Sequence, residues 1–193
     1  MTEALSLRIA LVLNLALAGF EIVAGLAAKS VALLVDAADF LEDSVIYALA
    51  LRLGGRELVD ERRYGLLIAG LMALPGLVAL WQLIERFLGA AAPDGGTIWK
   101  VSVLALVANL VSAFVIGLAR HGRAEGAGLG LQAAWLSSRN DALANIAMIA
   151  AGVMVVRLNA GWPDTVVGLG IAVLHFSGAV AVARLALAGK TGP

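Results

Sequence analysis

The sequence predicts an all-α membrane protein that crosses the bilayer six times, and three observations lead there. Apolar residues make up 61% of the 193-residue chain and charged residues 15%, with a mean hydropathy of +0.93. A soluble domain carries about 25% charged and about 45–50% apolar residues. The apolar residues fall in six runs, each long enough for the roughly 20-residue helix that spans a hydrocarbon core. The breaks between the runs carry turn and loop chemistry: GGRELVDERRYG, GAAAPDGG, HGRAEGAGLG and LNAGWPD. A β-barrel would need short alternating strands, and stretches such as LVLNLALAGFEIVAGLAA show no such alternation.

The first run, 6–28, is too long for the apolar core of a signal peptide and is interrupted by Asn14 and Glu21, so it reads as a span. The second, 31–53, carries an unusual load of acids. The third, 65–88, contains Pro75 followed by Gly76, which predicts a kink. The fourth, 98–120, places Asn109 and Ser112 where side chains hydrogen-bond between membrane helices. The fifth covers 132–157. The sixth, 164–188, has His175 near its middle, which reads as hydrogen-bonded to a neighbouring helix or, alternatively, as a proton relay. Short connections lead to the expectation of one transmembrane domain over 1–193 with no soluble domain.

With both termini cytoplasmic, nine Lys and Arg residues fall on the inner side and four on the outer, as the positive-inside rule expects; Arg139 lies within a span. The protein is therefore expected in the cell membrane. Zero net charge gives no electrostatic ground for nucleic-acid binding. The absence of cysteine excludes disulfides, thiolate metal sites and thiol catalysis.

Residues 36–44 read DAADFLEDS, four carboxylates inside the second span. Each intramembrane Asp costs about 2.5–3.5 kcal/mol, whereas a Leu, Ile, Val or Phe returns only about 0.3–0.6 kcal/mol. Such a helix must turn its acids inward, toward partners, water or a cation. At about 100° per residue, Asp36, Asp39 and Asp43 lie within about 60° of one another, with Glu42 about 60° further round as an ion-pair member or vestibule charge. The fifth span supplies a matching face: Ser137, Asp141, Asn145 and Met148 fall within about 80°, and Arg139 points nearly opposite. Arg139 is expected to pair with Glu42, Glu21 or Asp36. In the first span, Asn14 and Glu21 share a stripe with Gly25. Six acids (Glu21, Asp36, Asp39, Glu42, Asp43 and Asp141) against one Arg make a cavity that attracts cations. Neither acid-bearing face offers His or Cys as a nucleophile or base, so no enzymatic activity is expected.

These residues resemble a known family. The run SVALLVDAADFLED, preceded by LNLALAGFEIVAG, is similar to the cation diffusion facilitators, which carry an [HD]xxxD motif on the second helix and usually HxxxD on the fifth. Asp39 and Asp43 match the first motif, and Ser137 and Asp141 fall on the second; ERRYG and WPD also fit, and the likeness extends over essentially the whole chain. The resemblance implies a six-helix fold with cytoplasmic termini, usually homodimeric. It also implies efflux of a divalent transition metal in exchange for protons, by alternating access. The transport site would be Asp39, Asp43, Asp141 and position 137, with Asn145, Asp36, Glu42, Glu21 and Asn14 as accessories.

Two departures stand out. Ser137 occupies the place of the usual His, and a hydroxyl is a poor zinc ligand, so the site is expected to be harder and all-oxygen. That leans toward manganese or iron, or a mixed selectivity with zinc or cobalt, with Asn145 or water as fourth ligand. The usual C-terminal cytoplasmic domain is also not expected, which leaves any dimer to form through the membrane helices. No cofactor is expected beyond the transported ion. The alternatives are a non-transporting assembly subunit and a small organic-cation transporter, the latter disfavoured by the scarcity of aromatic walls.

Overall fold

The computed structural model describes residues 2–53, 61–89, 91–121 and 129–188. Among these residues the chain forms α-helices and no strand: α1 (Glu3–Ala28), α2 (Val31–Leu53), α3 (Glu61–Met72), α4 (Leu74–Phe87), α5 (Gly95–His121), α6 (Leu129–Leu158) and α7 (Trp162–Ala188). Together, α3 and α4 make the expected third span, so the described residues form five candidate membrane spans and one further long helix, α2. The break falls at Ala73, two residues before Pro75. Proline has no N–H to donate and is tolerated in the first turn of a helix, so it begins α4 rather than continuing α3.

Helix ends follow local chemistry. The Thr2 hydroxyl caps α1 by accepting from the Leu5 N–H at 3.4 Å. The other end closes at Lys29, whose left-handed backbone (φ 53°) lets the Lys29 and Ser30 N–H groups bond back to the carbonyls of Leu26 and Gly25. Lys29 and Ser30 are the whole connection, so α1 and α2 form an antiparallel hairpin. The start of α5 is capped by Asp94, whose carboxylate accepts from the Thr97 hydroxyl at 2.6 Å and the Gly96 N–H at 2.9 Å. The Thr97 bond, above all, holds the Asp94 carboxyl below its ordinary value of 3.8.

The bundle is apolar outside and polar inside. Large side chains such as Val12, Val23, Phe114, Val173 and Leu174 are exposed on its surface, where lipid would cover them. α2 is the central helix, packed against α1, α4, α6 and α7, and every residue from Ser30 through Phe40 is buried. Five helical stretches are long and apolar enough to cross a membrane by length and composition: α1, Gly65–Glu85 across α3 and α4, α5, the later part of α6, and α7. α2, with 23 residues, is as long but carries the acids. Small residues let the helices close on one another. A Cβ at Gly152 of α6 would lie 2.6 Å from the Trp99 backbone nitrogen of α5, and one at Gly168 of α7 would lie 2.9 Å from the Ala32 nitrogen of α2.

Candidate metal site

The position of α2 is set at its first turn by a residue from the other end of the chain. Asp164, in the first turn of α7, is fully buried. Its Oδ1 accepts from the Ser30 hydroxyl at 2.5 Å and the Ala32 N–H at 3.2 Å, and its Oδ2 accepts from the Val31 N–H at 2.8 Å. The Ser30 Oγ in turn accepts from the Leu33 N–H at 3.1 Å, and the Leu34 N–H reaches the Ser30 carbonyl at 3.4 Å. The Leu34 bond is the first within the helix; the four N–H groups before it, of Ser30 (to the Gly25 carbonyl), Val31, Ala32 and Leu33, are thus all satisfied. A carboxylate also suits the positive end of the helix dipole. This is the structural content of the WPD motif: it fixes α7 against α2.

With α2 so held, its acids all point into the bundle. Asp36, Asp39, Glu42 and Asp43 are at most 4% exposed, and so are Glu21 of α1 and Asp141 of α6. Asp39 and Asp141 face one another across the α2–α6 contact, with Asp43 beside them. The carboxyls of Glu21 and Asp36 likewise face each other, and none of their four oxygens receives a hydrogen bond from a donor among the described residues. Facing carboxyls in a low-dielectric interior need a proton or a cation between them. Asp43 is oriented by Tyr47, one turn on, whose hydroxyl donates to Asp43 Oδ2 at 2.9 Å.

Most of the expected site residues come together. Asn145 is buried and donates through Nδ2 to the Asp141 carbonyl at 2.9 Å, and its Oδ1 has no donor among the described residues. Asn14 does the same toward the Ala10 carbonyl at 2.8 Å. The side chains of Ser137 and Arg139 lie outside the described residues, and with them the expected pairing of Arg139. The acidic face of α2 carries no histidine of its own but meets one from a neighbouring helix. His175 Nδ1 of α7 lies 3.3 Å from Asp39 Oδ1 and 3.4 Å from Glu42 Oε2. Of the two roles expected for Glu42, this position fits the ion-pair member and not the vestibule charge, since Glu42 is buried against α7. Asp39, Glu42 and His175 each offer a ligand atom, and the three atoms lie within 4.8 Å of one another. The expected interhelical bonds of α5 do not form: Asn109 Nδ2 and Ser112 Oγ are buried and lack partners among the described residues. Sequence reasoning missed Tyr47, marked Asp164 only as part of WPD without its role, and read His175 only as a relay or a packed histidine.

A lipid-facing helical bundle with carboxyls and an imidazole gathered in its interior defines a multi-pass membrane protein built around an internal cation-attracting centre. The family model of the cation efflux transmembrane domain matches residues 7–188, and the chain belongs to this family, the cation diffusion facilitators. It is 29% identical over 176 residues to the metal cation efflux system protein CzcD of Cupriavidus metallidurans, covering 85% of this chain and 54% of that protein. It is 30% identical over 160 residues to the zinc transporter ZitB of Escherichia coli, covering 75% and 49%. A third relative is the cadmium, cobalt and zinc/H(+)-K(+) antiporter of Bacillus subtilis, 25% identical over 166 residues, covering 80% and 52%. The chain thus spans about half the length of the relatives it matches.

Proposed function

We propose that the protein carries divalent transition-metal cations across the cell membrane, as an efflux carrier that exchanges metal for protons. The ion sits between α2 and α6, held by Asp39, Asp43 and Asp141. The observation that carries this reading is the set of buried carboxyls from α2 and α6 facing one another inside the membrane-spanning bundle. The family match and the transport named for its relatives support the same conclusion.

The mechanism follows from charge. Without metal, facing carboxyls share protons; a divalent cation displaces them and satisfies both sides at once. Protons arriving from the far side compete for the same oxygens and release the metal. Alternating access then needs helices that shift against each other around the site. Both halves of the broken span pack on α7, but α4 also packs extensively on α2, so the break at Ala73 is where the α4 half would shift against the α3 half. The transmembrane domain acts with both ends of the given chain on the cytoplasmic side and assembles as a homodimer through its membrane helices.

The test is metal flux into proteoliposomes under an imposed pH gradient. Uptake of zinc, cadmium, cobalt or manganese that follows the gradient, and that is abolished by Asp39→Ala, supports the proposal. Flux indifferent to the gradient rejects proton exchange, and flux equal in the Asp39→Ala protein rejects the site.

A further inference from the structure

We propose that His175 is a direct metal ligand, joining Asp39 and Glu42 in a mixed nitrogen–oxygen site contributed by α2 and α7. This rests on the transport reading above and alters its chemistry. The site becomes suited to borderline ions such as zinc, cobalt and cadmium, in place of the all-oxygen set that Ser137 suggests.

Three observations carry the inference. The first is distance. Around an ion with bonds of about 2.0–2.1 Å, two ligands at tetrahedral positions stand about 3.3–3.4 Å apart. His175 Nδ1 stands 3.3 Å from Asp39 Oδ1 and 3.4 Å from Glu42 Oε2. The second is direction. At those separations a histidine serving only as an ion-pair partner would aim its ring N–H at one oxygen. Nδ1 is instead near both oxygens without a well-aligned hydrogen bond to either, and Glu42 Oε2 is likewise buried without a well-aligned donor among the described residues. One ligand atom from each of Asp39, Glu42 and His175 lies within 4.8 Å of the other two, close enough to share an ion. The third is burial. The Asp39 and Glu42 side chains are 4% and 5% exposed, so their charges lack water to balance them, and Asp141 Oδ2 beside them is also buried without a partner. A cation among the three ligand atoms of Asp39, Glu42 and His175 would satisfy them together.

The chain has only two histidines, His121 and His175, which makes the proposal testable by spectroscopy rather than by transport alone. The protein is purified in lipid nanodiscs through a tag without histidine, loaded with zinc, and examined by zinc K-edge X-ray absorption. Imidazole bound to metal gives an outer-shell scattering pattern that oxygen ligands lack. The pattern is expected in the parent and in His121→Gln, and it disappears in His175→Gln. His175→Gln should also weaken zinc binding by at least about 100-fold, since losing even an outer partner of a ligand costs ten- to a hundred-fold. Manganese affinity should change far less.

Zinc bound by oxygen alone in His121→Gln overturns the ligand assignment and leaves the transport reading standing. That result needs no His175 variant, so a folding defect in His175→Gln cannot obscure it. An imidazole pattern that persists in His175→Gln overturns the assignment as well. A parent protein that binds no zinc, cobalt, cadmium or manganese removes the transport reading and this inference together.

Discussion

Replacing Asp164 tests how the fold positions its site. The Asp164 carboxylate accepts hydrogen bonds from Ser30 Oγ and from the Val31 and Ala32 amides, three from the start of α2, and both Asp164 and Ser30 are fully buried. A hydrogen bond to a charged acceptor contributes about 1.5–3 kcal/mol, and a buried donor left unpaired costs about 1–3 kcal/mol. Ser30 keeps a use for its hydroxyl as acceptor from Leu33, so the three losses do not add in full. Asp164→Ala should therefore destabilise the protein by about 3–6 kcal/mol. For a chain of this size that lowers the thermal midpoint by on the order of 10 °C or more. Asp164→Asn keeps the oxygen that serves Ser30 and Ala32 but turns an NH2 group toward the Val31 N–H, and should lose about half as much. The assay is thermal unfolding in detergent followed by circular dichroism, together with hydrogen exchange across the first turn of α2. The amides of Val31 and Ala32 should lose protection before the rest of the helix. An Asp164→Ala protein with an unchanged midpoint and unchanged exchange at those amides would refute the idea that this carboxylate anchors α2 to α7.

Three further outcomes follow from the same structure. Gly152→Ala puts a methyl group 2.6 Å from the Trp99 nitrogen and 3.0 Å from the Gly95 carbonyl oxygen, both backbone atoms that cannot step aside. It should cost about 1–3 kcal/mol in thermal unfolding by forcing α5 and α6 apart. Tyr47→Phe removes the hydroxyl that orients Asp43 and should weaken zinc binding by about ten- to a hundred-fold in a calorimetric titration, with the helical circular dichroism unchanged. Asp94 has a folded-state value below its ordinary 3.8, so the stability from its cap is complete above 3.8 and is lost as the pH falls through the folded value. Exchange at the Gly96 amide, corrected for its intrinsic rate, should stay slow at neutral pH and accelerate only in strong acid.

The fold was legible because hydrocarbon imposes a length on apolar runs. The second run, 31–53, coincides with α2, and the first misses the start of α1 by three residues (6 against Glu3) because Thr2 and Glu3 cap a helix with polar residues. The kink at Pro75 was legible from proline chemistry, although the helix breaks two residues earlier than the ring itself. The inward turn of the α2 acids followed from their transfer cost and their angular spacing. What periodicity within one helix does not specify is which helices meet. His175 and Asp164 lie on α7, far along the chain from the α2 residues they touch, and no local pattern marks either contact. The Tyr47 contact is different: it stands four residues after Asp43 on one helix face and could have been read from that spacing.

The most direct measurement is the binding isotherm of a divalent ion for purified protein in nanodiscs, compared among the parent, Asp39→Ala, Asp43→Ala and Asp141→Ala. If α2 and α6 jointly hold the ion, the parent binds zinc or cadmium at a saturable site, and each of the three substitutions abolishes it while the helical spectrum persists. An Asp141→Ala protein that binds the ion as tightly as the parent would contradict the account, because α6 would then take no part in the site.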